Sequence, residues 1–246
     1  MWDEIDWDTL CISGLKYIVF IGAWERMVIV ISCSSKKNGN LFHYKNKTVK
    51  FISNVNKVPN DGNAYVHPDD LIPNEKITWR NLIERQSDGN NLVEAHNLYA
   101  NDIYNGLNDK YADNLYIFSA GWGIVRARYK LPVYDITFSK GRNIENFTRR
   151  SNENTFKDFN HLRELGKNED ILLIAGKDYV LPFCSLTKEL PNKKIIVYKS
   201  DAVLRNNPFL KDPNFQVFHY QTNRRTTWYY EFARKLINEE INLKGI

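Results

Sequence analysis

Five short apolar runs constrain this chain more than any other feature. They are Met27–Ser32 (MVIVIS), Leu115–Ser119 (LYIFS), Ile171–Ala175 (ILLIA), Lys194–Tyr198 (KIIVY) and Phe215–Tyr220 (FQVFHY), with Tyr17–Ile21 (YIVFI) as a sixth candidate. They are nearly continuous rather than alternating. A strand with apolar side chains on both faces needs cover on both faces, which is the setting of a parallel sheet flanked by helices. Helical spacing falls between them. Asn91–Asn105 puts Leu92, Ala95, Leu98 and Ile103 near one face, and Phe156–Leu165 and Thr226–Ile237 behave similarly, the last as an amphipathic C-terminal helix. Alternating strands and helices predict an α/β fold: a doubly wound, mostly parallel sheet with helices on both faces.

Two stretches break the pattern. Residues 38–75 are rich in Asn, Lys, Gly and Pro around the alternating segment Thr48–Ile52. They predict a long insertion after an early strand, part hairpin and part loop, lying over the ligand-binding edge of the sheet. Residues 139–155 form a second polar, basic loop. No linker separates these pieces, so residues 1–246 read as one α/β domain with insertions.

The net charge of +5 is modest but unevenly spread. Residues 31–60 hold six lysines and no acid; Lys140, Arg142, Arg149 and Arg150 face only Glu145; Arg224 and Arg225 are adjacent. Basic loops interleaved with Tyr and Trp suit a polyanion with stackable bases, although a solvated surface accounts for the same charges. Cys11, Cys33 and Cys184 are too far apart for a disulfide framework or a paired zinc site and fit a reducing cytoplasm. The acidic start, Met1-Trp2-Asp3-Glu4, does not resemble a signal peptide, and the longest apolar run, Tyr17–Trp24, is too short to cross a bilayer. A cytoplasmic protein without a membrane partner is expected.

In open α/β sheets, ligands collect outside the carboxyl ends of the strands. Ser32-Cys33-Ser34-Ser35-Lys36-Lys37 offers hydroxyls, backbone N–H groups and two ammonium groups there, without P-loop spacing. Cys33 has no histidine nearby in sequence and reads as readily as a core thiol as a nucleophile. In Ser119-Ala120-Gly121-Trp122-Gly123, the glycines allow close backbone approach, and Trp122 is either a stacking wall or a core lid. Asp135 sits among apolar and aromatic neighbours, and Asp178 follows another strand. Each is a candidate for stabilising a cationic sugar transition state, or else a cap or turn residue. Tyr134 and Tyr179 are further candidate walls. Lys37, Lys140, Arg142, Arg149, Arg150, Arg224 and Arg225 are candidate phosphate contacts. The five histidines show no metal-ligand pairing, so neither a catalytic metal nor a cofactor is expected.

The ordered set Ile29–Lys37, Leu98-Tyr99, Tyr116–Gly123 and Tyr134–Phe138 resembles a bacterial and phage family in which an S/PCxxKK strand end precedes an LY helix, an hSAxxG strand end and a YD segment. The family is the α-glutamyl/putrescinyl thymidine pyrophosphorylase-like clade of DNA base glycosylases, and the resemblance spans roughly residues 27–140. It implies cleavage of the N-glycosidic bond of a hypermodified base, such as α-glucosyl-hydroxymethylcytosine in phage DNA, leaving an abasic site as an anti-phage defence. On that reading Asp135 acts on the sugar with Asp178 in reserve. Ser32, Cys33, Ser34, Lys36, Ser119, Gly121, Trp122, Gly123, Tyr134 and Tyr179 line the base pocket. Two alternatives stay open: a nucleoside or nucleotide N-glycosidase or deoxyribosyltransferase, and a non-catalytic nucleic-acid-binding module.

Overall fold

The structure, a computed structural model, describes residues 27–58, 60–86, 91–140, 145–150, 155–205 and 207–241. The candidate strand Tyr17–Ile21, Cys11 and Arg142 lie outside them. In chain order the first elements are β1 (Met27–Ser32), β2 (Phe42–Tyr44), β3 (Lys47–Ile52), β4 (Ala64–Val66), α1 (Trp79–Glu84), β5 (Val93–Glu94), α2 (Ala95–Leu98) and α3 (Ile103–Tyr111). Next come β6 (Leu115–Ser119), β7 (Gly123–Arg126), β8 (Lys130–Leu131), β9 (Tyr134–Asp135) and β10 (Phe159–Asn160). The last are β11 (Asp170–Ile174), α4 (Lys177–Thr187), β12 (Lys194–Tyr198), β13 (Phe215–His219) and α5 (Trp228–Ile237).

This is a mixed α/β structure around a mostly parallel seven-stranded sheet, ordered β10-β7-β6-β1-β11-β12-β13. β6, β1, β11, β12 and β13 are parallel throughout, and only β7 opposes its neighbour β6. β1 and β6 are buried along their whole lengths, which is why they are written as unbroken apolar runs. The chain places its second parallel strand beside one edge of β1 and its third beside the other. Sheet growth therefore reverses between β1 and β11, and a crevice opens at the carboxyl ends where neighbouring connections diverge.

Residues 38–75 contribute a second, smaller sheet. β2 and β3 form an antiparallel hairpin whose two turn residues, Lys45 and Asn46, both have positive φ (47° and 62°), the backbone that matches strand twist in a two-residue turn. β4 pairs in parallel with β3, as does β9 at the end of that strand. Phe42, Phe51 and Trp79 form an aromatic cluster beneath it, and Phe51 reaches Trp122 at a ring separation of 5.1 Å.

Two helical expectations are corrected. Phe156–Leu165 contains β10 and a 3-10 turn, His161–Glu164, because Phe159 N–H donates to the Trp122 carbonyl and β10 joins the sheet edge. Asn91–Asn105 is broken by β5, which pairs with β8, so helix survives only in α2 and the start of α3. Tertiary strand pairing overrides a helical period that spans so few turns. α4 and α1 had no counterpart in the sequence reading.

Candidate functional site

The site is set by the carboxyl ends of the parallel strands. A cavity of about 730 Å³ opens there. Ser32 reaches it from β1; Gly176, Lys177, Asp178 and Tyr179 follow β11; Lys199, Ser200, Ala202 and Val203 follow β12; Arg225, Thr226, Trp228 and Tyr229 lead from β13 into α5. Ser139 completes the rim. Small residues, Ser32, Gly176, Ser200 and Ala202, line the cavity together with the aromatic Tyr179, Trp228 and Tyr229. Gly176 is also the N-cap of α4 and has no side chain to cap the helix. Asp178 lies in the first turn, where the helix dipole favours a negative charge.

The charges lining this cavity are largely unspent. Asp178 is half-buried, and Lys177 and Arg225 are exposed; none of the three side chains makes a hydrogen bond or ion pair with any described residue. Lys199 gives one donor to the Arg224 carbonyl at 2.5 Å. Arg224 itself is paired with Glu231 at 2.9 Å.

Behind the cavity wall lies a buried cluster of phenols around one thiol. The Tyr179 hydroxyl is 3.1 Å from Cys33 Sγ, and the Ala120 N–H donates to the same sulfur at 3.4 Å. The Ser119 hydroxyl donates to Tyr134 Oη at 2.9 Å, and Tyr134 Oη is 2.9 Å from Tyr99 Oη. Burial pushes the Tyr99, Tyr134 and Tyr179 phenols well above their ordinary value, with the neighbouring Cys33 adding to the effect. They stay protonated. Lys37 folds over the Tyr134 ring, 4.1 Å from its centre, and burial lowers its ammonium pKa against the opposing pull of Cys33 and Asp135.

Four of the residues singled out by sequence, Ser32, Asp178, Tyr179 and Arg225, line the cavity. Several others are placed elsewhere. Trp122 is completely buried, packed against Phe51 and stacked with Phe159, so it presents no ring face to a ligand. It is a core residue because the second sheet covers it. Gly121 and Gly123 make room for protein: a side chain on Gly121 would meet the Tyr134 ring, and one on Gly123 the Phe159 backbone. Ser119 and Tyr134 are buried in the phenol cluster, and Cys33 lies behind Tyr179. Ser34 donates to the Lys36 carbonyl in an exposed turn.

Asp135 is exposed on β9, paired to Ile52 of β3, and is not among the residues lining the cavity. Its apolar sequence neighbours, Tyr134 and Ile136, point inward while it points outward, as strand alternation requires. Arg150 is corrected as a phosphate contact: its guanidinium grips the buried Asp158 carboxylate at 2.9 and 2.6 Å and donates to the Ala120 carbonyl at 3.0 Å. Lys37 is likewise committed to Tyr134 and to the Ser35 carbonyl, 3.2 Å away. Arg149 is half-buried, and Lys36 and Lys140 are exposed.

Lys199, Trp228 and Tyr229 join the cavity without a sequence expectation that placed them there. Lys199 was findable, since it directly follows a strand recognised from its apolar run. Trp228 and Tyr229 were hidden inside an amphipathic helix, whose period does not reveal which end abuts a crevice. Among the described residues, no group of three or more His, Cys, Asp or Glu could hold a metal ion, and no helix is long and apolar enough to cross a membrane. No family model matches this sequence, and no curated protein or solved structure matches the chain.

Proposed function

We propose that the chain is an N-glycosidase that takes one nucleotide unit into this cavity, with modified DNA as its substrate and the excised base as its product. The carrying observation is the half-buried Asp178 carboxylate, without a partner among the described residues, inside a nucleotide-sized crevice at the point where the parallel sheet changes direction. The sheet is read as doubly wound: α3 packs on α5, while α4 packs on the 3-10 turns Asp201–Val203 and Pro208–Lys211. Right-handed crossovers from β1 to β6 and from β11 to β12 run in opposite directions along the sheet and so put their helices on opposite faces.

Cleavage of a C1′–N bond develops positive charge on the sugar. Asp178 stabilises that charge and takes a proton from the attacking water, whose oxygen bonds to C1′ as the base departs with the electron pair. Tyr229, with the buried Trp228 packed edge-to-face against it, offers aromatic surface to a base turned out of a helix. The carboxylate role thus moves from Asp135 to Asp178. The experiment is to incubate the purified chain with plain and hypermodified phage DNA and identify released base by mass spectrometry. Release from modified DNA alone is expected; intact DNA in every case overturns the reading.

A second reading, a glycosidase or deoxyribosyltransferase acting on free nucleosides or nucleotides, is favoured by one observation. Arg150 and Arg224 are spent on Asp158 and Glu231, which thins the track available to a DNA backbone. Base release from monomers in preference to polymer identifies it.

A further inference from the structure

We propose that Lys177, Lys199 and Arg225 form a phosphate-ester subsite at the cationic end of this cavity, so that the sugar presented to Asp178 is a phosphorylated one. The inference builds on the N-glycosidase reading and names the part of the substrate that the reading leaves open.

Three cations and one carboxylate line the same cavity. Like charges gathered along one concave surface repel one another, and a bound counter-charge relieves this. Elsewhere in the molecule, Arg80 and Arg150 have that relief: Arg80 is held by Asp69, and Arg150 by Asp158. Lys177 and Arg225 have no such partner among the described residues, and Lys199 meets only a neutral carbonyl. Asp178 supplies one negative charge against three positive, leaving an excess that an anion would neutralise.

The chemistry of the donors narrows the anion. A guanidinium offers paired N–H groups to two oxygens, and each ammonium offers a point charge to another, which is the match for a phosphate rather than a carboxylate. The Ser200 and Thr226 hydroxyls border the same cavity. Trp228 and Tyr229 supply an apolar surface within it. A cavity of about 730 Å³ holds one nucleotide, with charge for its phosphate and aromatic surface for its base. The phosphate comes from one of two sources: the terminal monoester of a free nucleotide, or a diester beside a nucleotide turned out of DNA.

Calorimetric titration of the full chain at fixed ionic strength tests this, using 2′-deoxynucleosides, their 5′-monophosphates and a single-stranded oligodeoxynucleotide as probes. The monophosphates are expected to bind at least about tenfold more tightly than the nucleosides, the scale of one charge-assisted hydrogen bond. The double variant Lys177→Ala/Arg225→Ala, at two exposed positions, is expected to erase that preference while a Lys76→Ala/Lys167→Ala control, at exposed lysines away from the cavity, keeps it. Tighter binding of the oligonucleotide than of any monophosphate identifies the diester source, and the reverse order the monoester. Equal binding of nucleoside and monophosphate, no monophosphate binding at millimolar concentration, or an undiminished preference in the double variant overturns the proposal. Phosphate preference without base release from DNA or monomers leaves the subsite standing and removes the glycosidase reading. Base release without phosphate preference does the opposite.

Discussion

Two aspartates look alike in sequence and differ in what surrounds them. Asp178 is half-buried at the start of α4, facing the cavity without a partner among the described residues; Asp135 is exposed on a short strand of the second sheet. Only a carboxylate held beside the substrate, with part of its hydration removed, can act strongly on a developing sugar cation. Asp178→Asn is therefore expected to lower the rate of base release by about 10²–10⁴-fold, the usual range for a lost acid–base group, with binding kept. Asp135→Asn is expected to leave the rate unchanged. Single-turnover assays on modified DNA check both, and an equal loss in the two variants sinks the distinction. Charge density along the chain made the basic clusters visible but not which of their members are free. Arg150 and Arg225 are indistinguishable until the fold supplies Asp158 to one and a cavity to the other.

At the scale of elements, the strands were legible and the short connections were not. A parallel strand buried on both faces is apolar along most of its length, with polar residues at its ends, so β1, β6, β11 and β12 announce themselves as runs. β10 has only two residues and joins the sheet through its pairing with β7, which no local pattern encodes. The turn between β6 and β7 shows how tightly this edge is fitted. Gly123 has φ of +90°, and an added Cβ would come within 2.3 Å of the Phe159 carbonyl oxygen. Gly123→Ala combines backbone strain with a clash against backbone that cannot swing away, and is expected to destabilise the fold by at least about 1–3 kcal/mol. Urea unfolding measures it, and an unchanged midpoint would refute the close approach. The same edge carries Arg80, whose guanidinium lies 5.2 Å from both the Trp122 and Phe159 rings and donates to the Gly121 and Trp122 carbonyls at 3.3 Å. It ties α1 to the strand end that leads toward the phenol cluster.

For the molecule as a whole, pH acts through two partly buried histidines. Burial is the main cause lowering the pKa of both His67 and His161 below 6.5; Asp69 and Asp70 oppose it at His67, Arg80 and Arg150 reinforce it there, and at His161 Glu164 and Glu84 oppose while Arg126 reinforces. Each ring also accepts a backbone N–H at Nδ1, from Asp69 and Arg126 respectively, and an imidazolium could not accept it. The unfolded chain therefore binds these protons more readily than the native one. Stability is full above pH 6.5 and falls as pH drops from there toward the depressed native values. Thermal melts from pH 7.5 to 5 are expected to show a falling midpoint, with a shallower fall in His67→Gln; a flat profile would contradict the neutral buried rings. Contiguous apolar runs were enough to place the central strands of a mostly parallel sheet, because a strand flanked by neighbours and buried on both faces leaves little room for polar side chains. The sequence also pointed to the strand ends as the place for a ligand, and to Asp178, Tyr179, Ser32 and Arg225 among the residues there. That Trp122 is core, that Asp135 faces outward and that Lys177, Lys199, Trp228 and Tyr229 share a cavity emerged from the fold alone. Exposure and charge pairing are properties of distant segments brought together, and no local stretch of residues contains them.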